Sequence, residues 1–197
     1  TERWIHVNNN YNIKKRGCTP KITGRFRGYT LFCVKRIDKT MDRPPFLPML
    51  IGTGFGSGFS PVAPGTAGAL LATLVWYLLS FLLSGMALLW ITVALILVFT
   101  IAGVWATDCL EPVWGEDPSR VVVDEMVGVW ISLLAAPAGH VWYGLAAFML
   151  FRFFDILKPL GIRRMEKLPG GWGVMMDDIL SGVYGFILLI IVRWIIG

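Results

Sequence analysis

Six acidic residues stand at the margins of apolar runs: Asp108, Asp124, Glu125, Asp155, Asp177 and Asp178. A carboxylate beside a bilayer is costly unless it is paired, hydrated or bound to metal, so these six are functional candidates. His6 and His140 lack a ligand-spaced partner, and Cys18, Cys33 and Cys109 form no CxxC pair. An acidic, oxygen-only set suits a hard divalent cation, most simply Mg²⁺. Such an ion would neutralise the cluster, polarise a phosphoryl oxygen and acidify a water. Without it, six acids would repel any phosphate.

Other residues could meet the anion. Arg152, Asp155 and Lys158 recur at three-residue spacing and share a helix face. Arg152 and Lys158 can grip phosphate oxygens. The blander alternative is an Arg152–Asp155 pair with Lys158 reaching outward to water. The stretch GTGFGSGFSPVAPGTAG, residues 52–68, carries Ser57, Ser60, Gly65 and Thr66 and ends at a helix start. Its backbone amides can cradle an anion there, or the stretch is simply a re-entrant loop. It lacks the GK[ST] of a Walker loop and has no βαβ surroundings. Asp177-Asp178 opens the last apolar run, where capping is the plain explanation for one Asp. Asp124-Glu125 follows three valines, which makes capping a weaker account of that pair.

The elements that must position these groups are membrane helices. Of 197 residues, 55% are hydrophobic and 16% charged, which is too apolar for an ordinary soluble domain. Nine Trp suit headgroup-level anchoring. Apolar runs cover 69–83, 86–106, 121–136, 141–157 and 179–196. The expected fold is all-α, a polytopic integral membrane bundle of about four to six membrane helices. The first, third and fourth runs are short, so they recruit flanking turns or are partly re-entrant.

Charge sets the expected orientation. Residues 1–43 hold eleven Lys/Arg against three acids, and the remainder seven against ten. This basic arm reads as a disordered extension, with Met41 as a candidate start, and 44–197 as the membrane-embedded domain. The arm suits anionic lipid; a nucleic-acid role does not fit a membrane protein. The loop with Lys158, Arg163, Arg164 and Lys167 is cytoplasmic by the positive-inside rule. Alternating spans then put 84–85 and 137–140 outside and 108–120 inside. All the candidate residues fall at cytoplasmic ends, which describes one interfacial polar pocket.

Four stretches together resemble the phosphatidylglycerophosphatase A family: GFGSGFSPVAPGTAG (54–68), VVVDEMVG (121–128), FRFFDILKP (151–159) and GGWGVMMDDILSG (170–182). The resemblance covers roughly 46–197 and does not extend to the arm. It implies a Mg²⁺-dependent bacterial membrane phosphatase, in the inner membrane with its site facing the cytoplasm. Its substrate would be phosphatidylglycerophosphate, and its products phosphatidylglycerol and phosphate. Asp124, Glu125, Asp155, Asp177 and Asp178 match the family's acidic positions and are the expected catalytic and metal set. Asp108 is expected only to end the second helix.

Three rivals differ in class. A Mg²⁺ transporter would line a pore to the midplane and often carries inverted repeats, and none is visible. A CDP-alcohol phosphotransferase would need a DG…AR…G…D…D pattern, which is absent. A non-catalytic assembly subunit would not need the acidic convergence.

Overall fold

The computed structural model describes residues 44–83, 85–115, 118–159 and 161–196. The basic segment 1–43, Ser84 of the expected outer turn, and Glu116 and Asp117 lie outside the described residues. Among the described residues six α-helices follow one another: α1 (Phe46–Gly52), α2 (Pro64–Leu82), α3 (Met86–Trp114), α4 (Val123–Leu133), α5 (Val141–Leu157) and α6 (Gly171–Ile196). Two short 3₁₀ turns, Ser57–Phe59 and Ile162–Lys167, complete the regular structure, and there is no strand among the described residues.

Three helical segments, Pro64–Leu82, Met86–Trp114 and Gly171–Ile195, are long and apolar enough to cross a bilayer. At 17 residues, α5 sits at the short limit for a span. α4 has 11 residues and is about 16 Å long, half a hydrocarbon core. The outer faces are apolar and exposed: Leu70, Leu74 and Leu78 on α2, Trp90, Leu97 and Ile101 on α3, and Ile187, Ile191 and Trp194 on α6. This is the pattern of a bundle solvated by lipid, where helices satisfy their own backbone groups.

α4 is the hub of the bundle. It packs against α2, α3, α5 and α6, and of its residues only Glu125 and Ile131 are not fully buried. Small residues permit this crowding. A Cβ on Gly182 of α6 would collide with the backbone of Gly128 on α4, and one on Gly128 would meet Phe151 of α5 and the Asp178 carbonyl. Ser132 Oγ donates to Gly182 O at 3.0 Å and Trp130 Nε1 to Ala72 O at 2.9 Å. These bonds fix α4 against α6 and α2, so the first turn of α4 has one place to be.

Two expectations about helix ends are corrected. The last helix begins at Gly171, not beside Asp177, which puts Asp177 and Asp178 about two turns inside it. Only the first four amides of a helix lack carbonyl partners, so capping does not explain this pair. The segment Trp172–Met176 is apolar enough to be helical, and the adjacent charges mark a polar cavity rather than a boundary. Asp108 does not end the second helix, because α3 continues to Trp114. Instead Asp108 Oδ1 accepts from the Gly171 amide at 2.7 Å and caps α6 from a neighbouring helix. Gly170 turns the chain there at φ +61°. Asp108→Ala should therefore cost about 1 kcal/mol of stability, read as a lower melting temperature in detergent. The carboxylate cluster is untouched, so kcat should stay within about twofold.

Candidate active site

Five of the six acidic residues line one cavity of about 330 Å³, and Asp108 does not. Four helices build it. α4 brings Asp124 and Glu125, α6 brings Asp177 and Asp178, α5 brings Arg152 and Asp155 with Lys158 just past its end, and the start of α2 brings Gly65 and Thr66. Asp178 lies seven residues into α6, about 10 Å along its axis, so the site is recessed below that helix end.

Local structure explains each placement. Asp124 and Glu125 occupy the first turn of α4, at the positive end of its dipole. A Cβ on Gly65 would collide with Glu125 Oε1, so glycine there admits the Glu125 carboxylate between α2 and α4. Pro64 opens α2 without an N–H of its own, and Ala63 brings no capping side chain. The first-turn amides of Gly65 and Thr66 thus have no partner within their helix and suit an anion. Lys158 closes α5 in left-handed backbone, φ 45° and ψ 52°, a conformation that glycine usually takes at this position.

Charge pairing is uneven. Arg152 Nη1 donates to Asp155 Oδ2 at 2.5 Å, and Lys158 Nζ to Asp177 Oδ2 at 2.6 Å. Asp124, Glu125 and Asp178 each offer one carboxylate oxygen, all within 4.8 Å of one another. Asp124 Oδ1, Glu125 Oε2 and Asp177 Oδ1 are buried with no hydrogen-bond partner. Burial first, and then the charge of Glu125, push the Asp124 carboxyl well above the ordinary carboxylate range. Burial also raises Glu125, with Asp155 adding to the effect and Arg152 opposing it. Asp124, Asp177 and Asp178 are only 7%, 7% and 3% exposed. Orphaned, converging, oxygen-only ligands under mutual repulsion fit a hard divalent cation.

Part of the expected anion cradle lies elsewhere. Ser57 and Ser60 do not line the cavity. Ser57 Oγ donates to the carbonyls of Thr53 and Gly54, and the amides of Gly54, Phe55, Gly56 and Gly58 bond to carbonyls of residues 50–53. The turn consumes its own donors, so only its last residues, 63–66, reach the cavity. Gly58 instead lets the turn lie against the Arg120 carbonyl, where a Cβ would collide. Ser119, Gly173 and Val174 also line the cavity. Sequence reasoning missed them because a polar loop and a small residue ahead of an acidic pair carry no distinctive signal.

The sequence profile of the family described as phosphatidylglycerophosphatase A matches residues 50–193. The chain belongs to that family. A Haemophilus influenzae phosphatidylglycerophosphatase A is 40% identical over 151 residues, covering 74% of this chain and 88% of that protein. The Escherichia coli phosphatidylglycerophosphatase A is 37% identical over 153 residues, covering 75% and 86%. A Bacteroides thetaiotaomicron protein named "Putative phosphatidylinositol-3-phosphatase" is 67% identical over 159 residues, covering 80% of this chain and all of that protein. No solved structure matches the chain. As a member of the phosphatidylglycerophosphatase A family, the protein is a membrane phosphatase that hydrolyses a phosphate monoester. The transporter and assembly-subunit rivals fall with that membership.

Proposed function

We propose that this protein hydrolyses the terminal phosphate of phosphatidylglycerophosphate, yielding phosphatidylglycerol and inorganic phosphate in phospholipid synthesis. Family membership across residues 50–193 carries the proposal, and the recessed carboxylate cavity supports it. The unit 44–197 is the phosphatase domain. The basic loop after α5 supports a site facing the cytoplasm at the bacterial inner membrane.

Asp124, Glu125 and Asp178 would hold Mg²⁺, the ion that hard oxygen ligands favour. When bound, Mg²⁺ supplies a Lewis acid for a phosphoryl oxygen and lowers the pKa of a water. Arg152, Lys158 and the amides of Gly65 and Thr66 bind and orient the terminal phosphate. Their positive potential balances the charge that spreads over the phosphoryl oxygens as the ester bond breaks. The cavity holds the headgroup while the acyl chains stay in lipid beside the exposed apolar helix faces.

A second substrate has a specific observation behind it, the name of the 67%-identical relative. Phosphatidylinositol 3-phosphate is also a lipid phosphate monoester, on a bulkier ring. The deciding experiment measures phosphate release from both lipids by detergent-purified protein, with Mg²⁺ and with EDTA. The expected result is a kcat/KM at least about tenfold higher for phosphatidylglycerophosphate, lost in EDTA and restored by Mg²⁺. Preference for the inositol lipid would transfer the assignment to it, and undiminished release in EDTA would remove the metal.

A further inference from the structure

The five cavity carboxylates divide by what their oxygens already hold. Asp155 and Asp177 each spend Oδ2 on a cation, Arg152 and Lys158, at 2.5 and 2.6 Å. Asp124, Glu125 and Asp178 form no ion pair among the described residues, yet their ligand atoms lie within 4.8 Å of one another. Asp124, 7% exposed, leaves Oδ1 without a partner.

The cations could have been arranged otherwise. A guanidinium and an ammonium in a cavity with five acids could pair with any of them. Paired with the close trio, they would occupy the place of a divalent ion. Arg152 is instead held on its own helix by Asp155, one turn away. Lys158 is held across to α6 by Asp177, from a left-handed backbone conformation that costs a non-glycine residue. The strained lysine and its cross-helix partner bring the ammonium to α6.

We propose that Asp155 and Asp177 are positioning residues and not metal ligands: they park Arg152 and Lys158 beside the trio and yield them to an incoming phosphate monoester. This narrows the expected five-residue metal set to Asp124, Glu125 and Asp178, and it rests on the reading above that a lipid phosphate is the substrate. The exchange is balanced, because each cation leaves one anionic oxygen for another and no bond beyond hydrogen bonds changes. Asp177 Oδ1 is unpartnered like Asp124 Oδ1 and would equally suit a metal, so Asp177 is the sharper test of the two.

The test uses Mn²⁺ as the probe, with binding to the detergent-purified full chain followed by electron paramagnetic resonance, alongside steady-state kinetics. Asp124→Asn and Asp178→Asn should weaken Mn²⁺ binding by about 30-fold or more. Asp155→Asn and Asp177→Asn should stay within about threefold of wild type for Mn²⁺ while raising KM about tenfold or more. Lys158→Gly should raise KM similarly, because the ammonium that meets the phosphate is gone. Adding Asp177→Asn to Lys158→Gly should then change KM little further, since the two act as one unit. Mn²⁺ binding lost as severely in Asp155→Asn or Asp177→Asn as in Asp178→Asn would overturn the division and leave phosphatase activity standing. A wild type that releases no phosphate from either lipid would overturn the substrate reading instead, and the Mn²⁺ pattern would still decide the division.

Discussion

Asp178→Asn is expected to lower kcat/KM for the lipid phosphate by about 10³-fold, equivalent to about 4 kcal/mol of transition-state stabilisation. The side chain is 3% exposed and belongs to the close carboxylate trio. Asparagine keeps the size and one oxygen but removes the charge that would hold a divalent ion. The same change should leave the metal-free protein as stable as wild type or more so. Removing one of several crowded buried charges relieves repulsion and desolvation instead of breaking a pair. The expected signature is therefore an inactive protein with an unchanged or higher melting temperature. Retention of more than about a tenth of wild-type activity would sink the role of Asp178, and a large loss of stability would mean that its carboxylate is structural.

Gly182→Ala should be a damaging conservative change in the bundle. In an ordinary helix interior, replacing Gly by Ala stabilises by about 1 kcal/mol. Here the new methyl would collide with the Gly128 carbonyl and backbone of α4, which cannot swing aside as a side-chain tip can. Overpacking of this kind costs about 1–3 kcal/mol, occasionally more. The net sign should therefore invert, to a loss of about 2 kcal/mol. Activity should fall further than stability, because α4 carries Asp124 and Glu125 and α6 carries Asp178. Prising the helices apart by a fraction of an ångström spreads the ligand set, so a loss of about 100-fold in kcat/KM is expected. Gly144→Ala is the control: the nearest atom to its new Cβ is Leu133 Cδ2 at 4.0 Å. That variant should be neutral or stabilised by up to about 1 kcal/mol with activity retained. If both variants melt like wild type, close approach at Gly182 is not what holds α4 on α6.

Much of this was legible in the residues because it depends on local chemistry. Runs of apolar residues dictate helices wherever lipid leaves the backbone no other partner. Carboxylates without His or Cys restrict any metal they hold to a hard cation, whatever the fold. The Arg152–Asp155 pair also follows from spacing alone, since residues three apart share a helix face. The start of α2 was legible for the same reason: Pro64 and an uncapped first turn are local features that leave Gly65 and Thr66 free for an anion.

Where side chains meet across the bundle was decided only by tertiary structure. Asp108 resembles the other edge acids in sequence, yet the docking of α3 against the start of α6 turns it into a cap for Gly171. Ser57 and Ser60 sit in the right composition, but the turn around them closes its hydrogen bonds on itself. Asp177 and Asp178 are neighbours in the chain with different partners. Successive residues point about 100° apart on a helix, so one carboxylate reaches Lys158 while the other joins Asp124 and Glu125. A chain can specify which groups are present and which helix face they share. The few ångströms that separate an ion pair from a metal ligand are set by helix-to-helix distance, and here that distance rests on glycines, Gly128 and Gly182, that themselves carry no chemistry.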